Sequence, residues 1–154
     1  MRTLAIDLGS KRIGLAMSDA GGMWATPLEV IAVNDPDHAI APMVKLIEKE
    51  GVERIVVGLP LNMDDTIGPQ AKSVIAWCQK LMAAVGSAMR TDALIYVDER
   101  LSSFDAEQRL IDIKRSGAKM TRKDKKQSLD AVAAAGFLQA FLDGKLSPID
   151  PSQL

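Results

Sequence analysis

Two short apolar runs, Ile55-Val56-Val57 and Leu94 to Val97, constrain the fold most. Neither alternates with polar residues, so neither suits a strand with one wet face; such runs belong to strands covered on both sides. Between them Val74, Ile75, Cys78, Leu81, Met82 and Val85 recur at helical spacing, with Thr66 placed as a cap and Gly86 as a stop. Before them Ile40, Met43, Val44 and Ile47 form a similar stripe that Gly51 can end, with Pro42 marking a kink or a later start. Strands therefore alternate with helices in the middle of the chain.

The beginning is different. Leu4 to Asp7 and Ile13 to Ser18 are β-prone and separated only by Leu8-Gly9-Ser10-Lys11-Arg12, which leaves no room for a crossover helix and favours an antiparallel hairpin. A third strand is expected from Pro27 to Val33, after the Gly21-Gly22 turn. Past the last apolar run, Ser102 and Asp105 resemble a capping box opening a helix to about Lys114, stopped near Gly117. A final helix is expected from about Lys126 to Asp143, with Gly144 at its end. The order βββ-α-β-α-β-α-α implies an α/β fold: a mixed five-stranded sheet, an antiparallel meander then parallel strands, with helices on both faces.

A length of 154 residues with 47% hydrophobic content fits one domain, expected over residues 1–144 with a tail at 145–154. The absence of a long apolar run or a signal-type opening points to an intracellular, cytoplasmic protein with no membrane partner. Cys78 is the sole cysteine and His38 the sole histidine, so an internal disulfide and a zinc cage are both excluded; Cys78 reads as helix packing. Net charge is −1, but between Lys114 and Lys126 seven basic residues face one acid, so this stretch carries +6 and the rest of the chain −7. A concentrated positive stretch on an acidic body suits a docked phosphate backbone, although a solvated loop would look the same.

Chemistry is concentrated in acids where strands end. Asp7 closes the first strand within Asp7-Leu-Gly-Ser-Lys-Arg-Ile-Gly14, whose glycines would let backbone approach a ligand; alternatively Asp7 caps the turn. Asp98-Glu99 stands at a second strand end, and since neighbours point to opposite faces only one is expected to reach a shared site. Asp130 has Ala133, Ala134, Phe137 and Phe141 at offsets of three, four, seven and eleven, placing a carboxylate on an apolar helix face where a charge needs a partner. The ordinary alternative is an early-helix acid complementing the dipole. Three oxygen donors from separate elements suit Mg²⁺ or Mn²⁺, which can orient a phosphate and activate water.

These motifs together resemble the RNase H-like superfamily and, within it, the YqgF/RuvX family of small RuvC-related bacterial proteins. The resemblance rests on Asp7 to Gly14, Gly58-Leu-Pro-Leu-Asn-Met-Asp64, Asp98-Glu-Arg-Leu101, the basic stretch and Leu129-Asp-Ala-Val-Ala-Ala134. It implies an RNase H-like fold and a metal-dependent nuclease, tied to trimming the 5′ end of precursor 16S ribosomal RNA or to resolving Holliday junctions. It places catalytic roles at Asp7, Glu99 and Asp130, and metal ligation at Asp7, the Asp98-Glu99 pair and Asp130, with Glu99 favoured over Asp98. Lys11, Arg12, Arg100, Lys119, Arg122, Lys123, Lys125 and Lys126 look suited to nucleic acid, bound by a monomer or a homodimer. One departure is Asp65, where the family usually has glycine; Asp tolerates left-handed backbone angles, so the loop can survive.

Two other classes of protein fit parts of this pattern. A binding module would keep the fold and the basic stretch without cleaving. A nucleotide phosphotransferase is the third reading, because Asp-Leu-Gly-Ser after a strand also looks like the phosphate loop of actin-like ATPases. Those proteins normally close two duplicated domains around ATP, and this length holds one.

Overall fold

The computed structural model describes residues 1–99 and 122–153, with residues 122–128 described by their backbone alone. β1 (Thr3–Leu8), β2 (Arg12–Ser18) and β3 (Ala25–Ala32) form the meander, followed by α1 (Ile40–Glu50), β4 (Arg54–Leu59), α2 (Pro69–Val85), β5 (Leu94–Asp98) and α3 (Arg122–Leu142). The five strands lie in the order β3-β2-β1-β4-β5. β1 pairs antiparallel with β2 and parallel with β4, and β4 pairs parallel with β5. The mixed sheet expected from the sequence is therefore present.

Alternation along the strands divides the core into two layers. Leu4, Ile6, Ile13, Leu15, Ile55 and Val57 pack with α1 and α2 on one face. Ala5, Ala16, Val56 and Val97 meet Ala134, Phe137 and Leu138 of α3 on the other. The α3 face is lined by small residues, and this lets the helix lie close; Phe137 is fully buried there, and its truncation to alanine would cost roughly 3–5 kcal/mol. Cys78 is buried among the α2 contacts, as its composition suggested.

Several element boundaries depart from the sequence reading for local reasons. β3 begins at Ala25 rather than Pro27, because the Asp19 carboxylate accepts the Met23 and Trp24 amides and closes the turn just before it. Pro27 is tolerated because β3 is an edge strand, and the register shifts beside it, between Leu15 and Ala16. Thr66 does not cap α2, which opens at Pro69 after Gly68. Thr66 instead ties the preceding loop, donating its amide to Asp64 at 3.2 Å while Asn62 donates its own to the Thr66 carbonyl at 2.9 Å. Pro42 lies in the first turn of α1, where its missing N–H has no intrahelical partner to lose, so the helix runs on unbroken to Gly51.

Asp65 adopts φ 67, the left-handed conformation that the glycine-to-aspartate departure required. α3 starts at Arg122, a turn earlier than expected, so Arg122 to Lys126 are helical and not part of a basic loop. Lys, Arg and Gln are good helix formers, and charge density alone was a poor sign of a loop. The expected Ser102–Asp105 cap, its helix and the remaining basic stretch lie outside the described residues. Beyond α3, Leu146 is buried and Ile149 donates its amide to the Tyr96 carbonyl at 2.8 Å, so the segment expected to be a tail packs beside β5. No helix among the described residues is long and apolar enough to cross a membrane.

Candidate active site

The parallel strands β1, β4 and β5 all end at one side of the sheet, and Asp7 and Glu99 stand there. In β1, Leu4, Ile6 and Leu8 belong to the α1/α2 layer, so Ala5 and Asp7 point toward α3. In β5, Ile95 and Val97 point toward α3 and Leu94 and Tyr96 away from it. Glu99 continues the first set and Asp98 the second. Glu99 is hydrogen-bonded to Asp7. Room for it comes from Gly58: a Cβ there would lie 2.8 Å from Glu99 Oε2 and 3.0 Å from Phe137 Cε2.

Asp130 reaches the same region from α3. Gly14 pairs with Asp7 across the hairpin, and a Cβ on Gly14 would fall 2.3 Å from the Asp130 carbonyl oxygen and 3.0 Å from the Ala131 nitrogen. The helix backbone thus rests directly on the strand beside Asp7. Gly9 has a separate task, since a Cβ there would lie 2.6 Å from the Arg12 carbonyl oxygen, which accepts the Gly9 amide at 2.9 Å. The two glycines serve a tight turn and a helix contact, and Gly9 also lines the cavity beside Asp7. Asp130 lies two turns into α3, beyond the first turn where a helix dipole would explain an acid.

Burial first, and the nearby Asp130 charge second, push the Asp7 carboxyl above the usual carboxylate range, while its hydrogen bond with Glu99 opposes the shift. Burial likewise raises Glu99, helped by the charge and hydrogen bond of Asp7 and by the charge of Asp98. Both carboxyls are raised and joined by a hydrogen bond, so the pair holds a proton above the usual carboxylate range.

Arg12 donates through Nε to Asp130 Oδ2 at 2.7 Å. Among the described residues, no three acids, histidines or cysteines close into a cage for one ion: Asp7 and Glu99 hold each other and Asp130 is turned onto Arg12. Asp7, Lys11, Arg12 and Asp130 line a cavity of about 310 Å³, closed on its far side by Gln70 from the first turn of α2. Gln70 carried no motif in the sequence; only the return of α2 over the hairpin places it there. Arg100 and Lys119 lie outside the described residues, as do the side chains of Arg122, Lys123, Lys125 and Lys126.

A mixed sheet in this order, with acids where its parallel strands end and a helix laid across them, defines an RNase H-like protein. The chain belongs to the RuvX family, described as Holliday junction resolvase, whose model matches residues 1–144. A Chloroflexus aurantiacus protein named "Putative pre-16S rRNA nuclease" is 42% identical over 144 residues, covering 94% of this chain and 88% of that one. A Bacillus cereus protein of the same name is 39% identical, covering 94% and 100%. Among solved structures, RuvC of T. thermophilus in complex with Holliday junction substrate matches with a TM-score of 0.57 at 15% identity, covering 97% of this chain and 100% of that one. The Fowlpox virus resolvase with its junction DNA matches at 0.55 and 8%, covering 94% and 98%. Both share the fold; the family and its relatives are nucleases and resolvases, hydrolases of phosphodiester bonds.

Proposed function

We propose that this chain is a cytoplasmic, divalent-metal nuclease that processes the 5′ end of precursor 16S ribosomal RNA. The observation that carries the reading is the half-buried, hydrogen-bonded Asp7–Glu99 pair, with Asp130 in its field and Lys11 and Arg12 at the same cavity. Two half-buried acids in hydrogen-bond contact repel each other once both are ionised, and a cation would offset that charge. The donors are all oxygen, which suits Mg²⁺ or Mn²⁺.

Asp7, Glu99 and Asp130 would hold such an ion, which when bound supplies Lewis-acid polarisation of the phosphate and an activated water. Arg12 would exchange Asp130 for a substrate phosphate, freeing the carboxylate, and Lys11 would bind the next phosphate as a point charge. Arg100, Lys119, Arg122, Lys123, Lys125 and Lys126 are assigned to the nucleic-acid backbone on charge alone.

The test is cleavage of precursor 16S ribosomal RNA beside a four-way DNA junction, with Mn²⁺ or with chelator. The expected result is metal-dependent cutting of the RNA, lost in Asp7→Asn and in Asp130→Asn. Cleavage of neither substrate under any metal would sink the reading. Cutting of the junction alone would replace it with the resolvase activity that the family description names.

A further inference from the structure

A second and larger cavity, of about 600 Å³, lies on the α2 side of the β1–β2 turn. It shares Gly9, Ser10 and Gln70 with the cavity that holds Asp7 and Asp130, so the two adjoin at the turn. Their linings differ in kind. The acid-bearing cavity has Lys11 and Arg12 at its wall. The larger one is walled by Leu8, Pro36, Val74 and Trp77. Its lysine, Lys80, is bound to Asp37 at 2.8 Å.

We infer that this cavity receives one unpaired nucleobase of the RNA strand whose phosphate lies at the acids, an inference that rests on the nuclease reading above. A volume of this size is in the ordinary range for a small-molecule site, and its apolar walls suit the faces of a planar heterocycle. Gln70 offers a donor and an acceptor for a base edge between the cavities, and Ser73, whose proton goes to the Pro69 carbonyl at 3.1 Å, adds an acceptor oxygen. A backbone phosphate is better served by the smaller cavity, where Lys11 and Arg12 stand, than by this one, whose Lys80 is paired with Asp37. Trp77 acts as wall and not as a stacking platform: its ring is buried and its indole N–H is spent on the Pro36 carbonyl at 2.8 Å.

A base in a duplex has its Watson–Crick edge and both faces occupied, so only a splayed nucleotide can enter. The site therefore selects strands that are single or frayed next to the phosphate to be cut, without reading a particular sequence there.

Binding is measured in chelator, so that cleavage plays no part, with a single-stranded RNA carrying one 2-aminopurine and with a blunt RNA duplex of the same sequence. Ala76→Trp and Ser73→Tyr each fill the cavity from an exposed position on α2. Both should weaken the single strand about tenfold and leave the duplex within about twofold of the wild type. The 2-aminopurine emission should rise on binding to the wild type, as the base leaves its neighbours, and stay flat with either variant. Equal losses on both probes, no loss on either, or no binding by the wild type would overturn the inference. A wild type that binds in this pattern but cuts no substrate with Mn²⁺ would overturn the nuclease reading and leave the base site standing.

Discussion

Arg12 Nε and Asp130 Oδ2 meet at 2.7 Å although 118 residues separate them in the chain. The contact joins the start of β2 to the second turn of α3, and it engages the acid whose charge most directly raises Asp7 after burial itself. A guanidinium in this place neutralises the cluster when no substrate is bound, and it stands at the wall where a phosphate would enter.

Replacing Arg12 by Met should therefore separate metal affinity from nucleic-acid affinity. Both side chains are partly exposed, so the stability loss should stay within about 1 kcal/mol. Mn²⁺ binding, followed by calorimetry, should tighten because Asp130 is released. RNA binding should weaken, with the salt dependence of log K reduced by about one phosphate contact. A variant that loses both affinities together would show that Arg12 only props the site.

Gly14→Ala should be among the most damaging single-methyl changes in the chain. The added carbon meets Asp130 and Ala131 backbone, which cannot rotate away as a side chain would. Overpacking of this kind costs roughly 1–3 kcal/mol, readable in urea unfolding, and activity should fall with it because α3 carries Asp130. Gly21→Ala is the control: its Cβ would meet a side-chain oxygen at 3.4 Å, and neither stability nor activity should change.

Gly58→Ala tests the room given to Glu99. Its Cβ would displace the carboxylate or the Phe137 ring, so cleavage should fall at least about tenfold, and more in kcat than in KM if Glu99 acts on the reacting phosphate. Full activity in this variant would remove Glu99 from the proposed set.

The acids also set a pH dependence. Asp7 is pushed up to about 6 and Glu99 to about 8, chiefly by burial. The folded chain thus holds protons that the unfolded chain would release, so their stabilisation is complete below about pH 4 and is lost as pH rises through about 6 and about 8. In chelator the midpoint of thermal unfolding should fall across that window, following a stability loss on the order of a few kcal/mol. Asp7→Asn should flatten the profile and be the more stable protein at the alkaline end. With Mn²⁺ the trend should reverse, because the ion competes with these protons and binds better as they leave. A wild-type profile unchanged by either treatment would contradict the half-buried acid pair.

Much of the fold was legible from single residues. Ile55 to Val57 and Leu94 to Val97 demanded a sheet covered on both faces, and the short Leu8 to Arg12 connection forced a hairpin. The acids at strand ends were visible too, since Asp7 and Glu99 each follow an apolar run. The choice between Glu99 and Asp98 was not settled, because parity names a face only once the helix covering it is known. The Arg12–Asp130 contact was only half visible: Asp130 stood on an apolar helix face where a charge needs a partner, but tertiary approach alone makes that partner Arg12. The start of α3 was displaced for the opposite reason, since dense positive charge masked residues that favour a helix. Gly14 and Gly58 were visible as glycines, but the neighbours that require them come from α3 and from the end of β5.

The contact at Gly14 is made by main chain on both sides, so the spacing of Asp7 and Asp130 is set by how closely two backbones pack and not by the bulk of a side chain between them. Repacking around Phe137 or Leu138 can tilt the distant end of α3 while this point stays as a fulcrum. Substitutions in the α3 core should then change stability before they change the spacing of Asp7 and Asp130.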